Sequence, residues 1–276
     1  MLPAVTAAPV QRSSTYQDSD GAAYEVFLGR WTRVLAGPLA EFARLPEEGA
    51  IIDVGCGTGI LALALAEHRR GRVAGIDIAA PYIAFARSCL GWSAVDFVVG
   101  DACRLPFGDY RFTAAVAQLS LNFVPDARRA LREMQRVVRR GGVIVAAVWD
   151  FRGGLVYQRL FWDTAAGLDP QAGVARDRLF SSALAVPDGL PRLWREAGLG
   201  AIERGSITIR MDYADFADYW EPLLGGQGPV GAYVAGLSPE QRQLIRERVR
   251  LSYLSGAPDG PRSMTATAWA VRGTVP

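Results

Sequence analysis

The sequence predicts an α/β fold in which a mostly parallel sheet carries helices on both faces. From Ala50 to Asp150, short runs rich in β-branched residues end in Gly or Asp and alternate with longer helical segments. Such alternation is typical of a parallel sheet with helices packed on its faces. The 276 residues are 50% apolar and 21% charged, so the chain has enough apolar surface for one elaborated domain or two small ones.

The first half of the chain contains five predicted strands and three predicted helices. The strands are expected at residues 50–54, 72–77, 96–99, 112–118 and 143–149. Helices are expected between them at residues 60–68, 81–90 and 127–140. The last of these has apolar residues at helical spacing, with Asp126 as its N-cap and Gly141-Gly142 at its end.

After Asp150 the pattern changes. A segment rich in Gly, Arg and aromatic residues runs to about Val186. It is followed by an expected helix (188–197), two expected strands (201–211 and 262–272) and two helical pieces between those strands (215–224 and 239–254). The second piece opens with a capping box at Ser238 and Gln241 and has Pro239 at its first position.

These patterns predict three parts of the chain. Residues 1–23 are expected to form a flexible arm, because they are rich in Ser, Asp, Gln and Gly. Residues 24–150 form the ligand-binding core with an N-terminal lid helix. Residues 151–276 complete the sheet and add helical insertions, at about 151–187 and 212–257, over its ligand edge.

Composition excludes several classes of chemistry. All 30 basic residues are arginine, which excludes Schiff-base lysines and a Walker-type phosphate lysine. The single histidine, His68, excludes two-histidine metal sites, and the three isolated cysteines indicate neither a disulfide framework nor a zinc site. We therefore expect no metal and, since the amino terminus lacks the pattern of a signal peptide, a cytoplasmic protein.

The charge balance bears on partners. A formal charge of +2 gives little electrostatic attraction to nucleic acid or to an anionic membrane. The longest uncharged stretch, Pro222 to Pro239, has five glycines and three prolines, which would break a spanning helix. A small-molecule partner is expected, without nucleic acid or membrane, and the sequence does not decide between a monomer and a homodimer.

The main candidate site is a glycine-rich turn at residues 51–60, with the sequence IIDVGCGTGI. It joins a buried strand to an apolar helix, whose N-terminus offers unpaired N–H groups. A dinucleotide-binding turn has glycines at its first, third and sixth positions, whereas the sixth position here is Ile60. With Asp53 two residues before the first glycine, the run resembles motif I of class I S-adenosylmethionine (SAM) methyltransferases.

The resemblance implies a Rossmann-like class I methyltransferase fold with a mostly parallel seven-stranded sheet. It implies SAM as cofactor and S-adenosylhomocysteine (SAH) as product. Cofactor contacts then fall on Asp53, Gly55, Cys56 and Gly57, which lie in or beside the loop that faces the methionine part of SAM.

Three further strand ends extend the resemblance. Asp77, followed by Ile78, can accept hydrogen bonds from two ribose hydroxyls. In the family, an acid at the position of Asp101 accepts from the adenine amino group, and the next backbone N–H, that of Ala102, meets the ring. The segment after the fourth strand is similar to the family's segment beside the sulfonium. It adds cofactor contacts at Gln118 and Leu119.

Residues 24–33 resemble the N-terminal lid of quinone- and small-molecule-type family members. The resemblance implies that Tyr24 and Arg30 reach the methionine end of SAM and that Trp31 covers the cofactor. Packing in an amphipathic first helix explains these residues equally well. Acceptor contacts are expected at Asn122, Trp149, Tyr219 and Trp220, among which the last two belong to an aromatic, glycine-hinged insertion.

Methyl transfer from a sulfonium is an in-line displacement that needs alignment and exclusion of water rather than a covalent enzyme intermediate. The sequence therefore predicts transfer to a small molecule, at oxygen or carbon rather than nitrogen. A base, if needed, would come from a carboxylate or a tyrosine. The candidates are Tyr157, Asp163, Tyr213, Asp215, Tyr219 and Tyr233. Two alternatives remain open: an inactive SAM- or SAH-binding partner protein, and a nucleotide-sugar or NAD enzyme on a similar sheet.

Overall fold

The computed structural model describes residues 20–67, 71–89 and 95–276. They form one seven-stranded sheet in the order β3-β2-β1-β4-β5-β7-β6. The strands are β1 (Ile51–Val54), β2 (Val73–Asp77), β3 (Val95–Val99), β4 (Phe112–Gln118), β5 (Val138–Trp149), β6 (Gly200–Tyr213) and β7 (Arg262–Thr274). The first five pair in parallel, and β7 lies antiparallel between β5 and β6. The predicted fold class is confirmed.

Helices cover both faces of the sheet. They are α1 (Gly21–Tyr24), α2 (Arg30–Ala43), α3 (Ile60–Glu67), α4 (Ala80–Ser88), α5 (Ala127–Val137), α6 (Val156–Ala166), α7 (Pro170–Phe180), α8 (Gly189–Glu196), α9 (Phe216–Trp220), α10 (Gly228–Ala235) and α11 (Pro239–Leu254). Short 3-10 turns at Leu121–Phe123 and Glu221–Gly225 and a π-helical turn at Glu25–Gly29 join some of them.

The strands divide the apolar residues between two cores, because neighbouring side chains point to opposite faces of a sheet. Ile51 and Val145 pack into one core with residues of α2, α3 and α6. Ile52 and Ile144 pack into the other core with residues of α5 and α8. Because both faces are covered, the parallel strands are apolar along their length, as the sequence shows.

The prediction for α5 was wrong at its end. Asp126 caps the helix as expected, since its carboxylate accepts from the N–H of Arg129 at 2.8 Å. The helix nevertheless ends at Val137, and Val138 is already extended and pairs with Phe112 of β4. Gly141, at φ +71°, belongs to an irregular start of β5, where its N–H donates to Val275 O. The glycine pair therefore shapes a strand and does not end a helix.

The second half agrees with the expected order of elements. The capping box at Ser238 and Gln241 is present. The helices α6 and α7 lie in the expected insertion at about 151–187, while α9, α10 and α11 lie in the one at 212–257. In the part of the chain that the structure describes, no helix combines the length and the apolar character needed to span a bilayer.

The N-terminal helical segment begins earlier than expected. The first helical residue is Gly21, N-capped by Asp20, so residues 21–23 are helical and not part of a flexible arm. Residues 1–19 of that predicted arm, and His68, lie outside the described residues. The π-helical turn between α1 and α2 contributes Phe27 and Leu28 to the cavity described next.

Candidate cofactor and acceptor site

A large cavity opens at the carboxyl ends of the parallel strands. It lies where strand order reverses between β1 and β4, the position at which open α/β sheets bind ligands. Its volume is about 1150 Å³ when its open mouth is included. Residues at or just after the ends of all five parallel strands line it, so the cavity extends along the whole carboxyl edge of the parallel part of the sheet.

The glycine loop forms one wall of the cavity. Gly55 and Gly57 line it, with φ of +74° and +55°, a left-handed backbone that favours glycine. The N–H groups of Gly55 and Cys56 both donate to Ile76 O, at 2.7 and 3.0 Å, which ties the loop to β2. A Cβ on Gly55 would collide with the side chain of Ser120. The loop therefore presents bare backbone to the cavity, as its sequence predicts.

Asp77 lies at the end of β2 and lines the same cavity. One carboxylate oxygen accepts from the N–H of Gly57 and the other from the N–H of Ala79, both at 2.8 Å. These two bonds hold the carboxylate in one orientation between the glycine loop and the start of α4. Its neighbour Ile78 is also in the lining.

Asp101 and Ala102 occupy the corresponding place after β3, and both line the cavity. The Asp101 carboxylate accepts from the N–H of Cys103 at 2.8 Å. The structure thus brings Asp101 and Asp77 together with the glycine loop at neighbouring strand ends, as the sequence predicts.

A smaller cavity lies behind the glycine loop and is lined in part by Asp53, Cys56 and Gln118. Asp53 is 1% exposed, and its pKa is raised to about 8 by burial and, second, by the charge of Asp77, against a lowering by the backbone N–H of Ala62. Burial and the same two carboxylates also raise the pKa of the Cys56 thiol. Thiolate chemistry therefore has no support here.

Gln118 and Leu119 end β4 and line the main cavity, as expected. The amide nitrogen of Gln118 donates to Thr32 O at 3.1 Å, while its oxygen is buried without a hydrogen bond from the described residues. Leu119 has φ +60° and its N–H donates to Ala147 O at 2.8 Å. This strained turn directs the chain after β4 across the cavity.

The N-terminal segment covers the cavity with Tyr24. Burial, followed by the charges of Glu25 and Asp77, raises the pKa of the Tyr24 hydroxyl, so it stays protonated. Glu25 accepts a 2.5 Å hydrogen bond from the hydroxyl of Thr58. This bond connects the segment directly to the glycine loop.

Arg30 and Trp31 differ from the expectation. The Arg30 guanidinium donates to the Asp218 carboxylate at 2.6 Å and to Asp218 O at 3.1 Å. It also lies 4.4 Å from the ring centroid of Trp31, which packs in turn against Tyr213. Neither residue is in the described lining of the cavity. Their contacts join the N-terminal segment to α9 and β6.

Of the four expected acceptor residues, one is in the described lining of the cavity and three are not. Trp149, at the end of β5, lines the cavity. Asn122 lies in the 3-10 turn after β4 but outside the described lining, which takes Phe123 from that turn. Tyr219 and Trp220 are 2% exposed and belong to the aromatic core of α9. They are therefore structural, because α9 turns its aromatic face toward α6 and α11.

None of the candidate bases lies in the described lining of the cavity. Asp163 is paired with Arg159 and Arg176, Asp215 caps α9, and the hydroxyl of Tyr233 donates to Asp169. Burial raises the pKa values of Tyr157, Tyr213 and Tyr219, which keeps them neutral.

Sequence reasoning missed several lining residues. Phe151 and Gln158 follow β5, and Gly228 and Pro229 begin α10. Gln158 is one of five polar or charged residues that are buried in the described part of the chain. The sequence signal for Gln158 is a glutamine inside an apolar helical pattern. The sequence does not define the bounds of α6, so this signal does not place Gln158 at the cavity.

The residues present fit SAM. Carboxylates at two neighbouring strand ends suit the hydroxyl and amino donors of an adenosine, and the loop between them has no Cβ to exclude it. Asp77 and Asp101 in the main cavity are acidic, and no arginine is in the described lining of either cavity. Such surroundings favour a positively charged ligand such as a sulfonium.

Comparison with known proteins decides the family. Residues 52–146 match the family described as Methyltransferase domain. The demethylmenaquinone methyltransferase of Roseiflexus castenholzii is 31% identical over 164 residues, which are 55% of this chain and 68% of that one. The O-methyltransferase cnsE of Penicillium expansum is 35% identical over 207 residues, which are 72% of this chain and 70% of that one.

The chain belongs to the class I SAM-dependent methyltransferases. A crystal structure from Bacillus halodurans C-125, described as a candidate methyltransferase, agrees in fold with a TM-score of 0.58. At 18% identity it covers 87% of this chain and 98% of that one. SAM is accordingly the cofactor of this methyltransferase, and the alternative of an NAD or nucleotide-sugar enzyme is set aside.

Proposed function

We propose that this methyltransferase moves the methyl group of SAM to an oxygen or carbon atom of a small molecule by direct in-line displacement. The observation that carries the proposal is the large cavity at the strand ends, which holds two carboxylates near β2 and β3 and an aromatic lining near β5. The named relatives act on quinone precursors or transfer to oxygen, which favours oxygen or carbon over nitrogen.

Bound SAM would supply an electrophilic methyl group on a sulfonium. We assign the ribose hydroxyls to Asp77, the adenine to Asp101 and Ala102, and the methionine end to the glycine loop and Tyr24, with Gln118 and Leu119 beside the sulfonium. Each of these residues lines the main cavity. Asp53 and Cys56 are assigned to the support of the loop from behind, because they line the smaller cavity.

The chain's own part in the reaction is to position the reactants and to exclude water. Carboxylates around the site stabilise the positive ligand, and that stabilisation weakens as the charge is lost, which favours release of the neutral thioether product. Outside the carboxylates assigned to the cofactor, the candidate bases in the described lining are two tyrosines: Tyr24, whose hydroxyl has a raised pKa, and Tyr82, whose hydroxyl donates to Gln227 Oε1 at 2.5 Å. The proton of a hydroxyl acceptor would therefore be released to solvent as the new O–CH3 bond forms and the S–CH3 bond breaks.

A nucleic-acid acceptor is disfavoured by the surface charges. The basic face of α5 is largely engaged within the protein. Arg136 binds Glu133 and Asp109, Arg128 binds Glu196, and Arg129 donates to Cys103 O. Arginines held in this way are poor ligands for a phosphate backbone.

Two measurements test the proposal together. Isothermal titration is expected to show SAH binding to the purified protein and no binding of NAD. Incubation with methyl-labelled SAM and a panel of hydroxyarenes is expected to move label into an acceptor. NAD binding without SAH binding would contradict the cofactor assignment, and SAH binding with no labelled product across the panel would favour an inactive binding protein.

A further inference from the structure

The cavity is chemically asymmetric along the sheet. From β2 to β5 the order β2-β1-β4-β5 gives three strand spacings, or about 14 Å. The carboxylates lie at the β2 and β3 end. At the other end Phe123, Trp149 and Phe151 line the cavity, and the rings of Phe123 and Phe151 meet edge to face at 6.3 Å. On this side, the described lining has no charged side chain.

A buried amide side chain lies at this apolar end. Gln158, on α6, lines the cavity and is 6% exposed. Its amide nitrogen donates to the Tyr157 hydroxyl at 2.9 Å. Its amide oxygen accepts no hydrogen bond from the described residues. The Gln118 oxygen is fully buried, whereas the Gln158 oxygen is not among the fully buried polar atoms that lack a partner. Gln158 borders the cavity, which is the open space beside it.

The orientation of Gln158 is held by its neighbours. Tyr157 is 3% exposed, and burial raises the pKa of its hydroxyl, so the phenol oxygen stays neutral and accepts the amide N–H. The hydroxyl of Tyr219 donates to Tyr157 O at 2.8 Å, which fixes the start of α6 against α9. One N–H of the amide is committed to Tyr157, and the amide oxygen, which accepts no hydrogen bond from the described residues, is left to accept one from a ligand.

We propose that the acceptor is an uncharged, ring-shaped molecule whose hydroxyl or amino group donates a hydrogen bond to Gln158 Oε1, while Phe123, Trp149 and Phe151 contact its ring. This inference rests on the proposed function and names the substrate class of that site. Gln158 is then a specificity-determining residue, because a buried amide left unpaired penalises acceptors that lack the donor group. The apolar lining penalises an anionic acceptor, whose charge would be buried without a partner.

The test uses equilibrium dialysis to measure the dissociation constants of three probes for SAH-saturated protein. The probes are 2-naphthol, 2-methoxynaphthalene, which has the ring and oxygen but no donor, and 6-hydroxy-2-naphthoate, which adds a charge. The parent protein is expected to bind 2-naphthol about three- to tenfold more tightly than 2-methoxynaphthalene. It is expected to bind the naphthoate at least about tenfold more weakly than 2-naphthol.

Variants separate the amide from the apolar lining. In Gln158→Met the preference for 2-naphthol over 2-methoxynaphthalene is expected to disappear, while SAH affinity stays within about twofold. Tyr157→Phe removes the partner of the amide nitrogen and is expected to reduce the preference. Gln135→Met is the matched control, because Gln135 lies on α5, donates to Ala197 O and does not border the cavity. It should keep the full preference.

Three outcomes with the parent protein overturn the inference without any variant. Equal binding of 2-naphthol and 2-methoxynaphthalene by the parent protein, equal binding of the naphthoate, or no binding of 2-naphthol would each refute it. A preference that survives in a folded Gln158→Met protein would refute the assignment to Gln158. Failure of the parent protein to bind SAH would instead refute the proposed function, so the two failures are distinguishable.

Discussion

Backbone N–H groups hold Asp77 in place. Its two carboxylate oxygens accept from Gly57 and Ala79, so its direction is set by the glycine loop and the residue that precedes α4. A residue oriented in this way can bind a ribose without a large loss of side-chain freedom.

Substitution of this residue gives a direct prediction. Asp77→Asn is expected to lower SAH affinity at least about tenfold, because a charge-assisted hydrogen bond contributes about 1.5–3 kcal/mol. Isothermal titration measures the change. Asp96→Asn, on an exposed position of β3, is the matched control and should bind SAH as the parent does. Unchanged affinity in a folded Asp77→Asn protein would refute the ribose assignment.

Asp53 predicts a pH dependence of stability. Its pKa is raised to about 8 in the folded protein, against about 4 when unfolded. The folded state therefore retains a proton that the unfolded state has lost, and the free energy of unfolding falls as pH rises through this window. The slope is at most about 1.4 kcal/mol per pH unit.

The comparison with Asp53→Asn isolates this effect, because the amide does not titrate. Urea unfolding between pH 5 and pH 9 is expected to show the variant gaining stability over the parent up to about pH 8, with a constant difference above it. A difference that does not change with pH would show that Asp53 is ionised in the folded protein.

At the scale of single residues, the sequence predicts those positions that depend on neighbours in the chain. Asp77 and Asp101 are fixed by strand ends a few residues away, so their place in the cavity follows from pattern and spacing. Arg30 was misassigned because its partner, Asp218, is 188 positions away in sequence. Tyr219 and Trp220 were misassigned because an aromatic stripe on a short helix reads the same in a core as in a binding surface.

The N-terminal helical segment covers the cavity. It places Tyr24, Phe27 and Leu28 over the cavity. A hydrogen bond from the Thr58 hydroxyl to the Glu25 carboxylate ties it to the glycine loop. The π-helical turn at Glu25–Gly29 changes the register of the helix there. Such turns occur frequently at functional sites, and this one directs Phe27 and Leu28 toward the cavity.

Removal of that bond gives a prediction for the element. Thr58→Val leaves Glu25 without its buried donor and is expected to destabilise the protein by about 1–3 kcal/mol. It is also expected to speed hydrogen exchange across residues 21–43 more than elsewhere, measured by mass spectrometry. Thr208→Val on β6, at an exposed position bonded to Thr267, is the control. Equal exchange in the two variants would contradict a cover held by Thr58.

The limits of element prediction have physical causes. Strand and helix positions in the first half of the chain follow from apolar periodicity. Each face of the sheet has one core, and every element that packs on it places apolar residues at regular spacing. The end of α5 does not follow from this periodicity. Val138 pairs with Phe112 of β4, and this pairing overrides the helical spacing of the apolar residues. Likewise α6 has a mixed pattern, since it packs against α7 and α11 as well as the sheet.

On the scale of the whole molecule, the two halves of the chain share one sheet. The antiparallel pairing of β7 with β5 continues the parallel half into the C-terminal half without a break. The acceptor end of the cavity uses residues from both halves, including Phe123 and Gln158. Folding and assembly of the site are therefore expected to be one cooperative event.

Two core truncations test this cooperativity. Leu35→Ala in α2 and Leu190→Ala in α8 each remove a side chain that is 0% exposed, from opposite faces of the sheet. Each is expected to lower the free energy of unfolding by about 2–5 kcal/mol in a single transition seen alike by near- and far-ultraviolet circular dichroism. Val174→Ala, at a 57% exposed position, is the control. Two transitions, with Leu190→Ala shifting only one, would contradict cooperative unfolding of the two cores.

The position of the bound product tests the cofactor site most directly. In a crystal grown with SAH, density for its adenosine is expected between the glycine loop and Asp101, with the ribose hydroxyls within hydrogen-bonding distance of the Asp77 carboxylate. Density for SAH at any other place, with side chains of the protein closing the space beside Asp77, would contradict it.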